Sequence, residues 1–502
     1  MNFSEFILAH DGEDLGRLAL SRGRYAALLA DVDLGGAADA GLACGGASGF
    51  GLGAVSGFDL ALTTLEVRRK LRDKVPEWYA VPSLVYPLRV SGEQCSSTAT
   101  ARYKASVALH AVLGTSCRKQ GVFLDEPMVL ADSCRKQGVF LDETLRLADL
   151  TGGLGVDSWA FAQVFGEVLY NEMRPELAAA AEHNFRELGV TNVRVRNCEL
   201  VPGNLSEVLD GFRTDVLFLD PARRAADGRK VFRLEDCQPD VLQLLPELLT
   251  ACPHVLLKLS PMADITLVCK QLGCVREVHV VAAEGECKEL LLLLQRDYDG
   301  PYTMTIFEDG AVMEIPGQTR DEGRVPGPVK EIPGQAGDDI RGGGSISSTG
   351  PIPENWPCEC LKGSIVGGGP GIKIEPLPKI GPGEFLFEPG KAMMKAGAFE
   401  VPGQFGLEKL GRHTHLYVGA EVPEELRPFG KVFEIQEVVP LNNRTVKDIG
   451  KRYSKADVTA RNIPLTSDQL RKKLGVADGG SVHIFGVHID SLNENYLLAC
   501  LK

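Results

Sequence analysis

The chain contains no Cys-x-x-Cys pair, and its 13 cysteines, an odd number scattered over 502 residues, nowhere take a spacing that would grip a metal. Cys358 and Cys360 are the closest two, and no histidine follows them at a zinc-finger interval. The thiols are therefore expected to be free and to act as small buried hydrophobes, with no metal bound. Long apolar runs are also missing. The leucine run 290–294 is far short of the roughly 20 residues of a membrane helix. The stretch Met1-Asn2-Phe3-Ser4-Glu5 has no basic segment followed by an apolar one, so no secretion signal is read, and a cytoplasmic protein with no membrane partner is expected. Positive charge is in deficit: 54 Lys and Arg against 67 Asp and Glu leave a net charge of −13. That balance excludes a uniformly basic nucleic-acid binder but leaves room for a local basic face.

What is present is material for two to four domains, with 44% apolar residues to build their cores. The organising stretch runs from 145 to 224. Leu145-Arg146-Leu147-Ala148-Asp149-Leu150 has the profile of a buried strand and passes into Thr151-Gly152-Gly153-Leu154-Gly155-Val156-Asp157, then into a helical segment. Glycines at 152, 153 and 155 let the backbone turn tightly and approach a ligand, at the N-terminus of a helix with free amides. A second strand, Glu167-Val168-Leu169-Tyr170, ends at Asn171-Glu172, about 20 residues past the loop, where an acid in this layout meets a pair of ribose hydroxyls. A further apolar strand, Asp215-Val216-Leu217-Phe218-Leu219, carries Asp220-Pro221-Ala222-Arg223-Arg224 at its C-terminal end. Ligands of open α/β sheets sit beyond the carboxyl ends of the strands, so the three clusters share one rim.

Taken in order, residues 1–115 read as a mostly helical region, with Leu18, Leu20, Leu28 and Leu29 as contacts and a Gly-rich insertion at 35–57. Helical character is clear at 60–70, and small polar residues between Glu93 and Ala105 are placed to cap another helix. Residues 116–142 form a duplicated insertion: Ser116-Cys117-Arg118-Lys119-Gln120-Gly121-Val122-Phe123-Leu124-Asp125-Glu126 recurs from Ser133 to Glu143, and two copies are too few for a solenoid. From 143 to 298, strands at 191–198, 254–261, 278–281 and 289–294 alternate with helices at 175–188 and 239–249, the cadence of βαβ units and a mostly parallel sheet. Residues 299–426 read as a smaller α+β domain holding a Pro/Gly-rich insertion at about 314–380, in which Glu314-Ile315-Pro316-Gly317-Gln318 recurs at 331–335. The last region, 427–502, carries ten basic residues against five acids between 431 and 473, including Arg444, Lys451, Arg452, Lys455 and Arg461. A local excess of five in an acidic chain suits a surface facing RNA, and suits a solvated helix face equally well.

A glycine loop and a second-strand acid fit either a nicotinamide enzyme or an S-adenosylmethionine enzyme. Two details favour the latter. Asp149 stands just before a compact Thr-Gly-Gly-x-Gly loop, where its carboxylate can hold the amino group of a methionine moiety. Asp220-Pro221 sets a carboxylate beside a rigid carbonyl, a pair able to accept hydrogen bonds from an exocyclic amine and aim its lone pair at a sulfonium methyl. Positioning and electrostatics carry most of such an in-line transfer. A turn that merely ends the strand is the plainer reading of the same Asp-Pro.

Asp149-Leu150-Thr151-Gly152-Gly153-Leu154-Gly155-Val156-Asp157, Asp220-Pro221-Ala222-Arg223-Arg224, Leu234-Glu235-Asp236-Cys237, Lys258-Leu259-Ser260-Pro261-Met262 and Glu286-Cys287-Lys288-Glu289-Leu290 resemble the bacterial class I methyltransferases that carry a ferredoxin-like domain and a C-terminal THUMP-like domain. Residues 93–105, 388–399 and 458–465 extend the resemblance over most of the chain. It implies an α/β fold: a Rossmann-like class I methyltransferase sheet at 143–298, an N-terminal helical region, a ferredoxin-like α+β domain within 299–426, and a THUMP-like α/β domain at 427–502. It implies S-adenosyl-L-methionine as cofactor and RNA, tRNA or rRNA, as partner; with the Asp-Pro corner, methylation at a base nitrogen is the expected reaction. On this reading Asp149, Thr151, Gly152, Gly153, Gly155 and Asp157 surround the methionine end, Glu172 takes the ribose, and Asn197 and Cys198 border the adenine. Asp220 and Pro221 orient the acceptor, and Arg223 holds a phosphate or a base edge. Ala222 stands where many amino-methylating enzymes have a second proline, and Arg223 where an aromatic would stack. The insertions at 35–57, 116–142 and 314–345 depart from the family pattern. A non-catalytic RNA-binding or assembly factor that retains the fold, and a nicotinamide oxidoreductase, are the alternatives.

Overall fold

The computed structural model describes residues 2–21, 57–114, 144–223, 233–315 and 380–502. The insertion expected at 116–142, nearly all of those at 35–57 and 314–380, the contacts expected of Leu28 and Leu29, the pair Cys358 and Cys360, and Arg224 lie outside them. The eight cysteines described are free thiols, four buried and four half-buried. Among the described residues no helix is long and apolar enough to cross a membrane.

Two large sheets carry the chain. The first uses β1 (Arg146–Asp149), β2 (Glu167–Asn171), β3 (Val193–Arg196) and β4 (Val216–Leu219), while β5 (Ala222–Arg223) and β6 (Cys237–Gln238) form a separate two-stranded ribbon at its rim. It continues with β7 (His254–Leu259), β8 (Val275–Ala283), β9 (Glu286–Gln295), β10 (Thr303–Glu308) and β11 (Ala311–Ile315). The order is β11-β10-β8-β9-β7-β4-β1-β2-β3. β3, β2, β1, β4 and β7 are mutually parallel, and β9 runs antiparallel to both β7 and β8. Ranked along the chain, the seven inner strands read 6-7-5-4-1-2-3 with the seventh reversed, which is the class I order implied by the resemblance. The order reverses between β1 and β4, the place where such sheets bind ligands.

The central strands are apolar on both faces because both faces are covered. In β4, Val216 and Phe218 enter one core while Leu217 and Leu219 enter the other. On the first face lie the N-terminal helices Gly57–Lys74 and Thr98–Leu113 with helices Val156–Phe161 and Pro175–Glu187; on the second lie Val241–Ala251 and Ile265–Leu272. The Thr98–Leu113 helix starts where Ser97 caps it, its hydroxyl accepting from Thr100 N–H, and it is buried along most of its length. Helix Phe3–His10 folds onto Gly57–Lys74 through Phe6 and Ile7, and the short helix Leu15–Ala19 adds Leu18. Leu20, expected to join them, is 89% exposed, since it stands at the C-terminal end of the short Leu15–Ala19 helix, which turns Leu18 and part of Leu15 inward.

Residues 303–315, placed by sequence in the smaller domain, instead widen the large sheet as β10 and β11. β10 pairs parallel to β8, and five of its six residues are buried, more than a peripheral hairpin would hide. The second sheet comprises β12 (Phe385–Pro389), β13 (Glu408–Lys409), β14 (Tyr417–Gly419), β15 (Gly430–Pro440), β16 (Asp457–Arg461), β17 (Val482–Ile489) and β18 (Glu494–Leu501), ordered β13-β14-β12-β15-β18-β17-β16. Helices Asn443–Arg452 and Ser467–Leu474 cover one face of it through Val446, Ile449, Leu470 and Leu474. Helix Lys391–Ala396, following β12, docks Ala392 and Met393 into the second core of the large sheet.

Candidate active site

The loop after β1 is shaped by its glycines. Gly153 and Gly155 have φ of +55° and +94°, left-handed values that favour glycine, and a Cβ on Gly152 would overlap the ring of Tyr170. Tyr170 in turn donates its hydroxyl to Gly153 O at 2.6 Å, and Gly152 N–H donates to Asn171 O at 2.7 Å. The loop is thus stitched to the end of β2.

Asp149 is 1% exposed and accepts from Thr151 N–H at 3.1 Å and from the Ser158 hydroxyl at 2.6 Å. Burial pushes its carboxyl up to about 8. Glu172 accepts from Gly153 N–H and Arg174 N–H, both at 2.9 Å, and burial raises its carboxyl above the usual range. Asn171 donates to Leu150 O and Cys198 O, while its buried Oδ1 has no hydrogen-bond partner among the described residues.

Asp220 follows β4 on the same rim. Its N–H donates to Thr151 Oγ1 at 2.6 Å, and its Oδ2 accepts from Lys258 at the end of β7. Burial acts to lower Lys258, but the carboxylates of Asp220, Glu289 and Asp157 outweigh it and hold the ammonium above its usual value. Lys104, fully buried on the Thr98–Leu113 helix, donates to Glu289 at 2.8 Å and lies 3.2 Å from Asp157. Sequence reasoning gave Lys104, Lys258 and Glu289 no role; the motifs containing them were the signal that could have found them.

Asp149, Asn171, Glu172, Asp220 and Lys258 border one cavity of about 420 Å³, at the reversal of strand order between β1 and β4. Asp149, Thr151, Gly152, Gly153, Gly155, Asp157, Glu172, Cys198 and Asp220 all line it, so nine of the expected site residues come together. Val90, Gln94 and Ser96 from the N-terminal region close its other side. Asn197 does not reach the wall. Its amide donates to Glu172 O at 2.7 Å and braces the strand ends, and Glu199 and Leu200 line the cavity beside Cys198 instead. Pro221 forms the corner without lining the cavity, and Arg223 places its backbone in β5 opposite Cys237. A larger neighbouring cavity of about 900 Å³ lies between the N-terminal helices and the β8–β10 side, sharing Gln94, Cys95, Ser96 and Lys258. No residue of the glycine loop lines it; the loop lines the smaller cavity alone of the two.

The five basic residues expected to bind substrate divide into two groups. Arg452 pairs with Glu437 and Arg461 with Glu388, each at 2.6 Å, which commits both to carboxylates, the second of them outside the segment 431–473 over which charge was counted. Arg444 and Lys451 are exposed and, with Lys447, form a stripe along the outer face of the Asn443–Arg452 helix; Lys455 is exposed beyond its end.

Residues 385–426 match the family model described as a ferredoxin-like domain, and residues 430–502 match that of the THUMP domain-like family. A candidate methyltransferase from Porphyromonas gingivalis W83, known from its crystal structure, is similar over 97% of this chain and 98% of its own, at 26% identity and a TM-score of 0.63. Much weaker likenesses are those to a T. thermophilus 16S rRNA methyltransferase bound to AdoMet and guanosine (13% identity, TM-score 0.24, 34% of this chain and 42% of that one) and to a SAM-dependent methyltransferase from Aquifex aeolicus (14%, 0.23, 40% and 100%). No curated protein matches the chain in sequence. The chain therefore carries a class I methyltransferase fold together with ferredoxin-like and THUMP-like domains.

Proposed function

We propose that this chain is an S-adenosylmethionine-dependent methyltransferase that modifies a base nitrogen of RNA, either tRNA or rRNA. The observation that carries the reading is the shared cavity, in which the glycine loop and Glu172 stand on one side of the sheet's reversal point and Asp220 on the other. The residues fit the cofactor. A cavity of about 420 Å³ falls in the range of ordinary ligand sites. A Cβ on Gly153 would meet nothing nearer than Thr151 O at 3.9 Å, and Asn171 Oδ1 is a buried acceptor with no partner among the described residues. The loop Thr151–Gly155 with Asp149 and Asp157 would hold the methionine end, Glu172 the ribose, and Cys198 the adenine. When bound, the cofactor supplies an electrophilic methyl group on its sulfonium.

The chain's own part is positioning. Thr151 fastens Asp220 to the loop, so the acid that meets the acceptor and the loop that meets the cofactor keep a fixed separation. Asp220 accepts a hydrogen bond from the acceptor N–H, which turns the nitrogen lone pair away from the carboxylate and toward the cavity. A base must leave its stack to reach this rim. The THUMP-like match and the exposed stripe of Arg444, Lys447 and Lys451 support RNA as the partner.

The test is mass spectrometry of modified nucleosides in total RNA from cells with the gene, without it, and with Asp220→Ala. One methylated nucleoside should vanish in both altered strains. An unchanged nucleoside profile would refute RNA as the substrate, and Asp220→Ala behaving as wild type would refute the assigned acid.

A further inference from the structure

Segments far apart in sequence meet in one chain of alternating charge. Asp157 lies 3.2 Å from Lys104, Lys104 lies 2.8 Å from Glu289, Glu289 lies 3.8 Å from Lys258, and Lys258 closes on Asp220 Oδ2. Ser96 joins the near end, accepting from Lys104 at 2.7 Å and donating to Asp157 at 2.9 Å. The chain runs from the head of the helix behind the glycine loop to the acid of the Asp-Pro corner. Buried ammonium groups persist only when paired, so Lys104 and Lys258 are not free to wander. Three carboxylates against two ammonium groups leave one formal negative charge, which complements a sulfonium.

Asp220 is the least buried member, and its side chain is 36% exposed. Left alone, such a carboxylate would sample several rotamers and offer either oxygen to the acceptor. Lys258 removes that freedom. Its ammonium takes Oδ2, and Oδ1 has no partner among the described residues.

We propose that Lys258 is a positioning residue for the acceptor, an inference that rests on the methyltransferase reading above. Backed by Glu289 and Lys104, it fixes one oxygen of Asp220 and leaves the other to receive the acceptor N–H. Lys258 also lines the cavity, so the test must separate its hold on Asp220 from any direct contribution to cofactor binding.

The test uses the full-length protein, S-adenosylhomocysteine binding by calorimetry, and transfer of a labelled methyl group to total RNA from cells lacking the gene. Lys258→Met should lower kcat by about 100-fold, the scale of losing one preorganised electrostatic contact, while the Kd for S-adenosylhomocysteine changes by less than about threefold. Lys258→Arg keeps the charge but shifts its contact point, and should recover part of the lost rate. If Lys258→Met does not fold, Lys258→Arg decides alone: reduced kcat with intact binding supports the role, and wild-type kcat overturns it. A loss of cofactor affinity as large as the loss of rate also overturns it. Wild-type protein that transfers methyl groups while Lys258→Met does so equally well overturns this proposal and spares the reading beneath it. Wild-type protein that neither binds nor transfers overturns both.

Discussion

The backbone N–H of Asp220 donates to Thr151 Oγ1 at 2.6 Å, fastening the Asp-Pro corner to the glycine loop across 69 residues of sequence. Thr151→Val keeps the shape and removes the acceptor, leaving that N–H without its partner. The corner should loosen, with kcat falling by about 10- to 100-fold and S-adenosylhomocysteine affinity by much less, because misplacement of an orienting group costs rate before binding. Steady-state kinetics beside calorimetry check this, and equal losses in both would refute it.

Gly152 has no room for a side chain. The ring it would meet belongs to Tyr170, which is fully buried and tied by its hydroxyl to Gly153 O, so it cannot step aside. Gly152→Ala is therefore expected to destabilise the fold by about 1–3 kcal/mol, the usual cost of overpacking, and to abolish measurable cofactor binding. Chemical denaturation and calorimetry give the two readings.

The Asp149 carboxyl rises from an ordinary 3.8 to about 8 on folding because it is buried. Between those values the folded protein holds a proton that the unfolded chain has released, so this group's contribution to stability declines as pH rises through that window and levels off above about 8. Asp149→Asn cannot ionise and escapes the decline. The melting temperature of the variant relative to wild type should therefore improve from pH 5 to pH 9, and a pH-independent difference would show the carboxyl is not buried in its neutral form.

On the Asn443–Arg452 helix, Arg444, Lys447 and Lys451 are exposed, and among the described residues their one ion pair, Arg444 to Asp448, spans 4.0 Å. Replacing all three by alanine should weaken binding to total tRNA and reduce the slope of log K against log salt by about 2–3, since each lost phosphate contact removes roughly 0.7–0.9. Filter binding at several salt concentrations measures it, and an unchanged slope would mean this face is merely solvated.

Much of the site was legible because its parts are local. Strand, glycine loop and helix lie within 145–161, and a turn that demands glycine announces itself in the sequence. Glu172 and Asp220 followed because parallel strands end on a common rim. The contact of Lys104 with Glu289 was not legible, since it joins residues 185 apart and depends on a helix from the N-terminal region lying across the sheet. Asn197 misled for a related reason: a polar residue at a strand tip can face the ligand or brace its neighbour, and nothing local chooses between them. Arg461 entered the count of basic charge at full value, although Glu388, which neutralises it, sits on β12 outside the counted segment; Glu437 was counted, but its contact with Arg452 joins a strand to a helix and is not local in sequence.

β12 pairs with β15 over five residues, while the helix that follows β12 is anchored to the large sheet by Lys391 N–H donating to Glu308 and by Lys395 donating to Ala263 O. The ferredoxin-like segment is therefore a coupler gripped at both ends. A swing of the C-terminal domain would have to unzip one grip or pull out the other. On the proposed reading, the span from the basic helix to the rim at Asp220 would serve as a built-in ruler, and an RNA gripped at one end would present the same position to Asp220 each time.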